Sequence, residues 1–135
     1  MIAGAGFDGA VERLLRVGSV ILVGGGIAML VAPSMAAALF GLEIGPGGDF
    51  MTRRYGASGT IGLGVALWQS QHHTAPSTVL AGLAAWFFVQ GGVALVALAG
   101  GTVSAFALFA AGVDLALGSG ALVLTRKRRS ATDRG

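Results

Sequence analysis

The sequence contains no cysteine and no asparagine, and only 11% of its 135 residues are charged. The lack of cysteine excludes disulfides, thiolate metal ligands and thiol redox chemistry. The shortage of charge tells more through where the gaps fall. No Asp, Glu, Lys or Arg lies between Val17 and Leu42, and none lies between Tyr55 and Val113. Soluble domains average about 25% charged residues and keep a polar face on their surface helices. Uncharged runs longer than roughly 18 residues mark candidate membrane spans instead. A chain of this length forms one domain, and that domain is read as an integral membrane one.

What charge there is clusters. The net charge of +3 comes largely from Arg126, Lys127, Arg128 and Arg129, directly after a hydrophobic run. That placement is topological and gives no reason to invoke nucleic acid. Two N-terminal patterns mislead. Gly4, Gly6 and Gly9 spell a dinucleotide-binding fingerprint, but no strand precedes them and a span follows. Val17–Ala32 behind Arg13 and Arg16 imitates a secretory signal, yet its apolar stretch is long for one, and it reads as a retained helix.

Residues 1–13 read as a mobile or interfacial tail, with Val11, Leu14 and Leu15 at helical spacing leading into the bilayer. A bundle over 14–125 follows, with spans at about 14–32, 50–70, 76–99 and 102–125. Pro33 ends the first span and opens a short interfacial helix to Phe40. Gly41–Gly48 is a loop, and Asp49 is the expected N-cap of the second span. Pro76 opens the third span, Gly100 and Gly101 close it, and Thr102 is the expected cap of the fourth. Residues 126–135 form a basic tail. The fold class is thus all-α, an integral membrane four-helix bundle with a short interfacial helix after the first span. Gly56, Thr60 and Gly64 recur every fourth position, as do Ser58, Gly62 and Ala66, and Gly24–Gly26 thin the first span. Small residues let helices approach closely, which matters in lipid because burying apolar surface no longer drives association.

Of the nine lysines and arginines, all but Arg53 and Arg54 fall on the side that holds both termini. The positive-inside rule therefore places the termini in the cytoplasm.

Asp114 is the residue that composition alone does not explain. It sits halfway along the fourth span, where a carboxylate costs about 2.5–3.5 kcal/mol on insertion scales. Ala107, Ala110, Ala111, Gly118 and Ala121 share its helical face, whereas Phe106, Leu108, Phe109, Val113 and Leu115 are expected to point elsewhere. Gln90 and Trp86 on the third span are its expected neighbours around a small midplane cavity. One reading is a clamp, a protonated Asp114 donating to Gln90. The other is a ligand or proton site, with Asp114 the candidate catalytic acid. Arg53 and Arg54 could hold an anionic group at the outer interface, or could snorkel and pair with Glu43 or Asp49. His72 and His73 diverge on a helix and have no third ligand nearby, so no metal site is expected. No cofactor is evident.

Pro33, the run Leu39-Phe40-Gly41-Leu42, Arg54-Tyr55-Gly56-Ala57 and Gly62-Leu63-Gly64 together resemble small bacterial four-helix membrane proteins of the DoxX-like type and their uncharacterised relatives. The resemblance implies a four-helix fold in the bacterial inner membrane. It transfers no catalytic residue, and without cysteine no thiol chemistry. Fluoride channels rely on asparagine, and small multidrug transporters on a glutamate in the first span; this chain has neither. Three functional readings stay open, in this order: a structural or accessory subunit of a membrane assembly; a binding protein or enzyme for a lipophilic small molecule with Asp114 as acid; and a proton-coupled small carrier. The partners expected are the lipid bilayer, a lipophilic ligand, and further copies or a larger membrane complex. Whether the chain is an enzyme stays open. For the topology, reporter fusions at the C-terminus and at Gly47 are expected to report opposite compartments, the C-terminal one cytoplasmic. Both fusions reporting the same side would refute four spans.

Overall fold

A computed structural model describes residues 2–72 and 77–135, with side chains described for 6–71 and 77–135. Every regular element among them is helical: α1 (Ile2–Val31), α2 (Pro33–Leu39), α3 (Pro46–Met51), a π-helical turn (Thr52–Ala57), α4 (Ser58–His72), α5 (Ser77–Ala99) and α6 (Phe106–Thr132). His73 and Pro76 lie outside the described residues. Three of the helical stretches are long and apolar enough to cross a membrane: Gly6–Val31, Ser77–Ala99 and Phe106–Thr132. The chain is thus a multi-pass membrane protein.

The breaks follow local chemistry. Ala32 leaves helical geometry (φ −135°, ψ 65°) directly before Pro33, which takes the first position of α2. A residue before proline is pushed out of the α region, and proline lacks only an amide that would be unpaired there anyway. α2 closes with Gly41 at φ +74°. The Gly41 and Leu42 amides donate back to Ala38 O (2.9 Å) and Ala37 O (3.1 Å), the paired bonds of a Schellman cap. α5 ends the same way, with Gly101 at φ +68° and the Gly101 and Thr102 amides on Leu98 O and Ala97 O.

Several boundaries differ from the sequence expectation. The expected N-terminal tail is already helix, because nothing before Ala32 interrupts α1. The second stretch runs as continuous helix from Pro46 to His72, with Gly45 and not Asp49 at its N-cap. Pro46 occupies the first helical position, so Asp49 already sits within the first turn. There its carboxylate accepts from Ser34 Oγ at 3.0 Å and lies 3.7 Å from Arg53. The π-helical turn precedes Ser58 and Thr60, whose hydroxyls donate to the carbonyls of Arg54 and Gly56. Such side-chain bonds compete with the regular backbone ladder. Thr102 closes α5 and does not open α6: its amide and hydroxyl both donate to Ala97 O, at 3.1 and 3.0 Å. Ser104 Oγ instead accepts from the Phe106 amide at 3.4 Å. α6 then continues through the basic cluster to Thr132, so most of the expected tail is helix.

The long helices pack as two pairs. α1 lies against α4, α5 lies against α6, and a lesser α1–α6 contact joins the pairs, while α4 and α5 barely touch. Close approach rests on glycine. A methyl built at Gly64 would stand 2.8 Å from Val23 Cγ2 and 3.0 Å from Ser19 O. One at Gly118 would stand 3.3 Å from both Ala84 O and Phe87 Cβ. Gly24 and Gly62, also small-residue candidates, face open space.

The buried cluster of Val11, Leu15, Leu67, Leu83, Phe87 and Leu117 draws on the first halves of α1 and α5, the later turns of α4 and the middle of α6, toward the end where α1 begins and α6 ends. That end is also tied by polar contacts. Lys127 pairs with Asp8, and Arg128 Nη2 donates to Ser70 O at 2.7 Å. The buried Ser19 and Thr125 hydroxyls donate to carbonyls one turn back in their own helices.

Replacing Gly64 by leucine is expected to destabilise the protein by about 1–3 kcal/mol through overpacking. The same change at Gly62 should shift thermal unfolding in detergent little. Equal effects at the two sites would show that Gly64 is not a contact point.

Candidate functional site

At the α2 end the two helix pairs separate and enclose a cavity of about 690 Å³. α1, α4 and α5 each line it through one helical face. α1 gives Ile21, Leu22, Gly25, Ala28 and Met29. The π turn and α4 give Tyr55, Gly56, Gly59, Thr60 and Leu63. α5 gives Trp86, Phe87, Gln90, Val93, Ala94 and Ala97. These intervals of three and four residues put each set on a single side of its helix. α6 contributes Phe106, Ala107, Phe109, Ala110, Val113 and Asp114, and α2 contributes Met35, Ala36, Leu39 and Phe40.

The cavity has a floor and a roof. Phe87 belongs both to the lining and to the buried cluster, and Leu22, Leu63 and Val113 pack against that cluster. The roof is a clasp between α2 and the α5–α6 connection. The Ser104 amide donates to Phe40 O at 2.7 Å, and Ser104 Oγ donates to Leu39 O. The Phe40 ring meets Phe106 edge to face, with centroids 5.0 Å apart, and Phe106 meets Phe109 at 5.6 Å. Gly41 permits this approach, since a Cβ there would lie 3.3 Å from Ser104 Cβ. The lining also includes Trp86, which is 48% exposed, so the cavity is open beside it.

The cavity brings together three of the candidates read from sequence. Asp114, Gln90 and Trp86 all line it. Asp114 is half-buried at the edge of the α6 face that packs on α5, where Ala107, Ala111, Gly118 and Ala121 are buried. Two features differ from expectation. Phe106, Phe109 and Val113 were expected to point away from Asp114, yet they line the same cavity, because its wall spans a wide arc of α6. The Asp114–Gln90 hydrogen bond of the clamp is also not formed. Gln90 is exposed, and among the described residues no hydrogen bond or ion pair engages either side chain.

The arginine pair lies outside the cavity. Arg53 pairs with Asp49, and the Arg54 guanidinium sits 5.7 Å from the Phe50 ring centroid and 5.6 Å from that of Tyr55. Of the histidines, only the backbone of His72 is described. Among the described residues no three His, Cys, Asp or Glu side chains gather where they could hold a metal ion.

Tyr55, Thr60 and the α1–α2 wall were not singled out in the sequence as site residues. The signal was there in Gly25, Ala28, Met29 and Ala32, which recur at helical spacing, but small residues at that spacing read equally well as packing. No protein-family model, curated protein or solved structure matches this chain.

With no partner to lose, Asp114→Asn and Asp114→Leu are both expected to leave thermal stability unchanged or raised. A loss of about 0.6 kcal/mol or more in either, the average worth of an interhelical hydrogen bond in a membrane, would reveal a partner for the carboxyl group.

Proposed function

We propose that the chain is a four-span bundle of the inner membrane, with both termini cytoplasmic, that binds a lipophilic small molecule between its two helix pairs. The second span in this reading, beyond the three long apolar helices, is the helix from Pro46 to His72. Its uncharged part, from Tyr55 onward, covers about 26 Å at 1.5 Å per residue, close to a 30 Å hydrocarbon core. Arg53 and Arg54 then sit at the outer interface, where long basic side chains snorkel. The packed end is cytoplasmic, and the cavity lies toward the outer leaflet. The DoxX-like resemblance agrees with this architecture.

The cavity carries the functional reading. Small-molecule sites are typically about 300–1,000 Å³, mostly apolar, with a few polar groups that fix orientation. This one measures about 690 Å³, and its apolar wall is interrupted by Asp114, Gln90, Thr60 and Tyr55. An accessory subunit would need packing surfaces only, and a proton carrier would need a second membrane acid for a relay. Among the acidic residues only Asp114 lies within a long apolar run. The open flank beside Trp86 faces the acyl chains, so a lipophilic ligand could enter from the bilayer without crossing water.

The test uses the full chain in nanodiscs, with Trp68→Phe so that Trp86 alone reports. A neutral lipophilic fluorophore such as N-phenyl-1-naphthylamine is expected to accept energy from Trp86 saturably. Ala110→Trp, made with Trp86→Phe to keep a single donor, should fill the cavity and weaken binding at least about tenfold, a loss of about 1.4 kcal/mol. Unsaturable transfer equal to that in empty nanodiscs would refute binding.

A further inference from the structure

Charge and aromatic surface in the cavity narrow the ligand class, an inference that rests on the binding reading above. Among the described residues Asp114 is the one charged side chain in the lining; no described lysine or arginine joins it. The nearest basic residues in sequence to this region, Arg53 and Arg54, are engaged with Asp49 and with the Phe50 and Tyr55 rings. The remaining polar groups supply oxygen acceptors, the Gln90 amide carbonyl and the Tyr55 and Thr60 hydroxyls, beside donor hydrogens on the Gln90 amide and Tyr55 hydroxyl. The Thr60 hydrogen is already committed to Gly56 O at 2.7 Å, so its oxygen is presented as an acceptor.

Around this acceptor set stand Trp86, Tyr55, Phe40, Phe106 and Phe109. Aromatic faces carry negative electrostatic potential and attract cations by about 0.5–2 kcal/mol each, more when water is excluded. An anion would be repelled by the carboxylate, with only the Gln90 amide and Tyr55 hydroxyl hydrogens to set against it. A neutral molecule could at most donate a hydrogen bond to the carboxylate. A cation complements the carboxylate and the aromatic rings together.

We propose that the cavity takes a lipophilic organic cation, an amine or onium centre carrying a hydrophobic body, with Asp114 as its counter-ion. The hydrophobic body fills the aromatic and aliphatic wall, and the cationic centre lies between the carboxylate and the Gln90 carbonyl. Coulomb attraction in a low-dielectric site gives the charge a large share of the selectivity.

Tetraphenylphosphonium, tetraphenylborate and triphenylphosphine oxide serve as probes of like aromatic bulk and different charge. Each is titrated against displacement of N-phenyl-1-naphthylamine, with empty nanodiscs of zwitterionic lipid subtracted. The phosphonium is expected to bind at least about tenfold more tightly than the borate or the neutral oxide, in keeping with a charge contact worth more than 1.4 kcal/mol. Asp114→Asn should remove the preference while keeping the affinity for the neutral fluorophore, and Asp114→Glu should retain it. Equal affinities, a borate preference, or a phosphonium preference that survives Asp114→Asn would overturn the cation assignment and leave the lipophile site standing. Failure of the fluorophore itself to bind would overturn both.

Discussion

The close approach of α5 to α6 is the contact on which the rest of the structure depends. Ala107, Ala111, Gly118 and Ala121 form one face of α6, and Gly118 brings its backbone against Ala84 and Phe87 of α5. In lipid the apolar character of these residues gives no advantage to burial, so association depends on how near two backbones can come. A face of alanine and glycine maximises that nearness. The same logic pairs α1 with α4 through Gly26 and Gly64. Two tight pairs result, and the function follows from how the pairs meet.

They meet unevenly. At the end holding the termini, leucine and phenylalanine side chains fill the space between the pairs, and the Asp8–Lys127 and Arg128–Ser70 contacts fasten the surface over them. At the other end the Ser104 clasp and the Phe40–Phe106 contact connect the pairs. Many residues facing inward between these ends, Gly25, Ala28, Gly59, Ala94 and Ala110 among them, are too small to fill the gap. The cavity is the geometric consequence of fastening two rods at their ends while packing only one half.

Much of this was legible in the sequence, and the parts that were not share a physical reason. Uncharged runs reveal spans because charge is expensive in lipid wherever it lies, so the three long apolar helices could be read directly. Pro33 marked its break for a similarly local reason. Asp114, Gln90 and Trp86 could be placed in one cavity because helical periodicity on neighbouring antiparallel helices fixes their relative height. The caps were harder. Asp49 and Thr102 are good capping residues in general, but Pro46 starts one helix earlier and Gly101 lets Thr102 finish another. The extent of the cavity was hidden because a small residue that admits a neighbouring helix and one that borders a void look alike in sequence. Gly25 and Gly26 are adjacent; the first lines the cavity and the second packs on Ile61.

Asp114 is the point where stability and function can be separated by magnitude. Its carboxyl group costs about 2.5–3.5 kcal/mol at the centre of a span. A hydrogen bond across to Gln90 would return about 0.6 kcal/mol on average, because the unfolded helices also find polar partners in the membrane. Even a fully formed clamp would therefore leave most of the cost standing, and the structure does not form it. Packing offers no compensation either, since the neighbours that hold α6 to α5 are alanine and glycine on either side of the acid and would pack as well without it. In the proposed complex a cation offsets that cost: at an effective dielectric of about 20 and a separation of about 4 Å, a unit charge pair is worth about 4 kcal/mol, of the same order as the insertion cost. The energetic argument and the aromatic wall thus bear on the proposed ligand class through the same unpaired carboxylate.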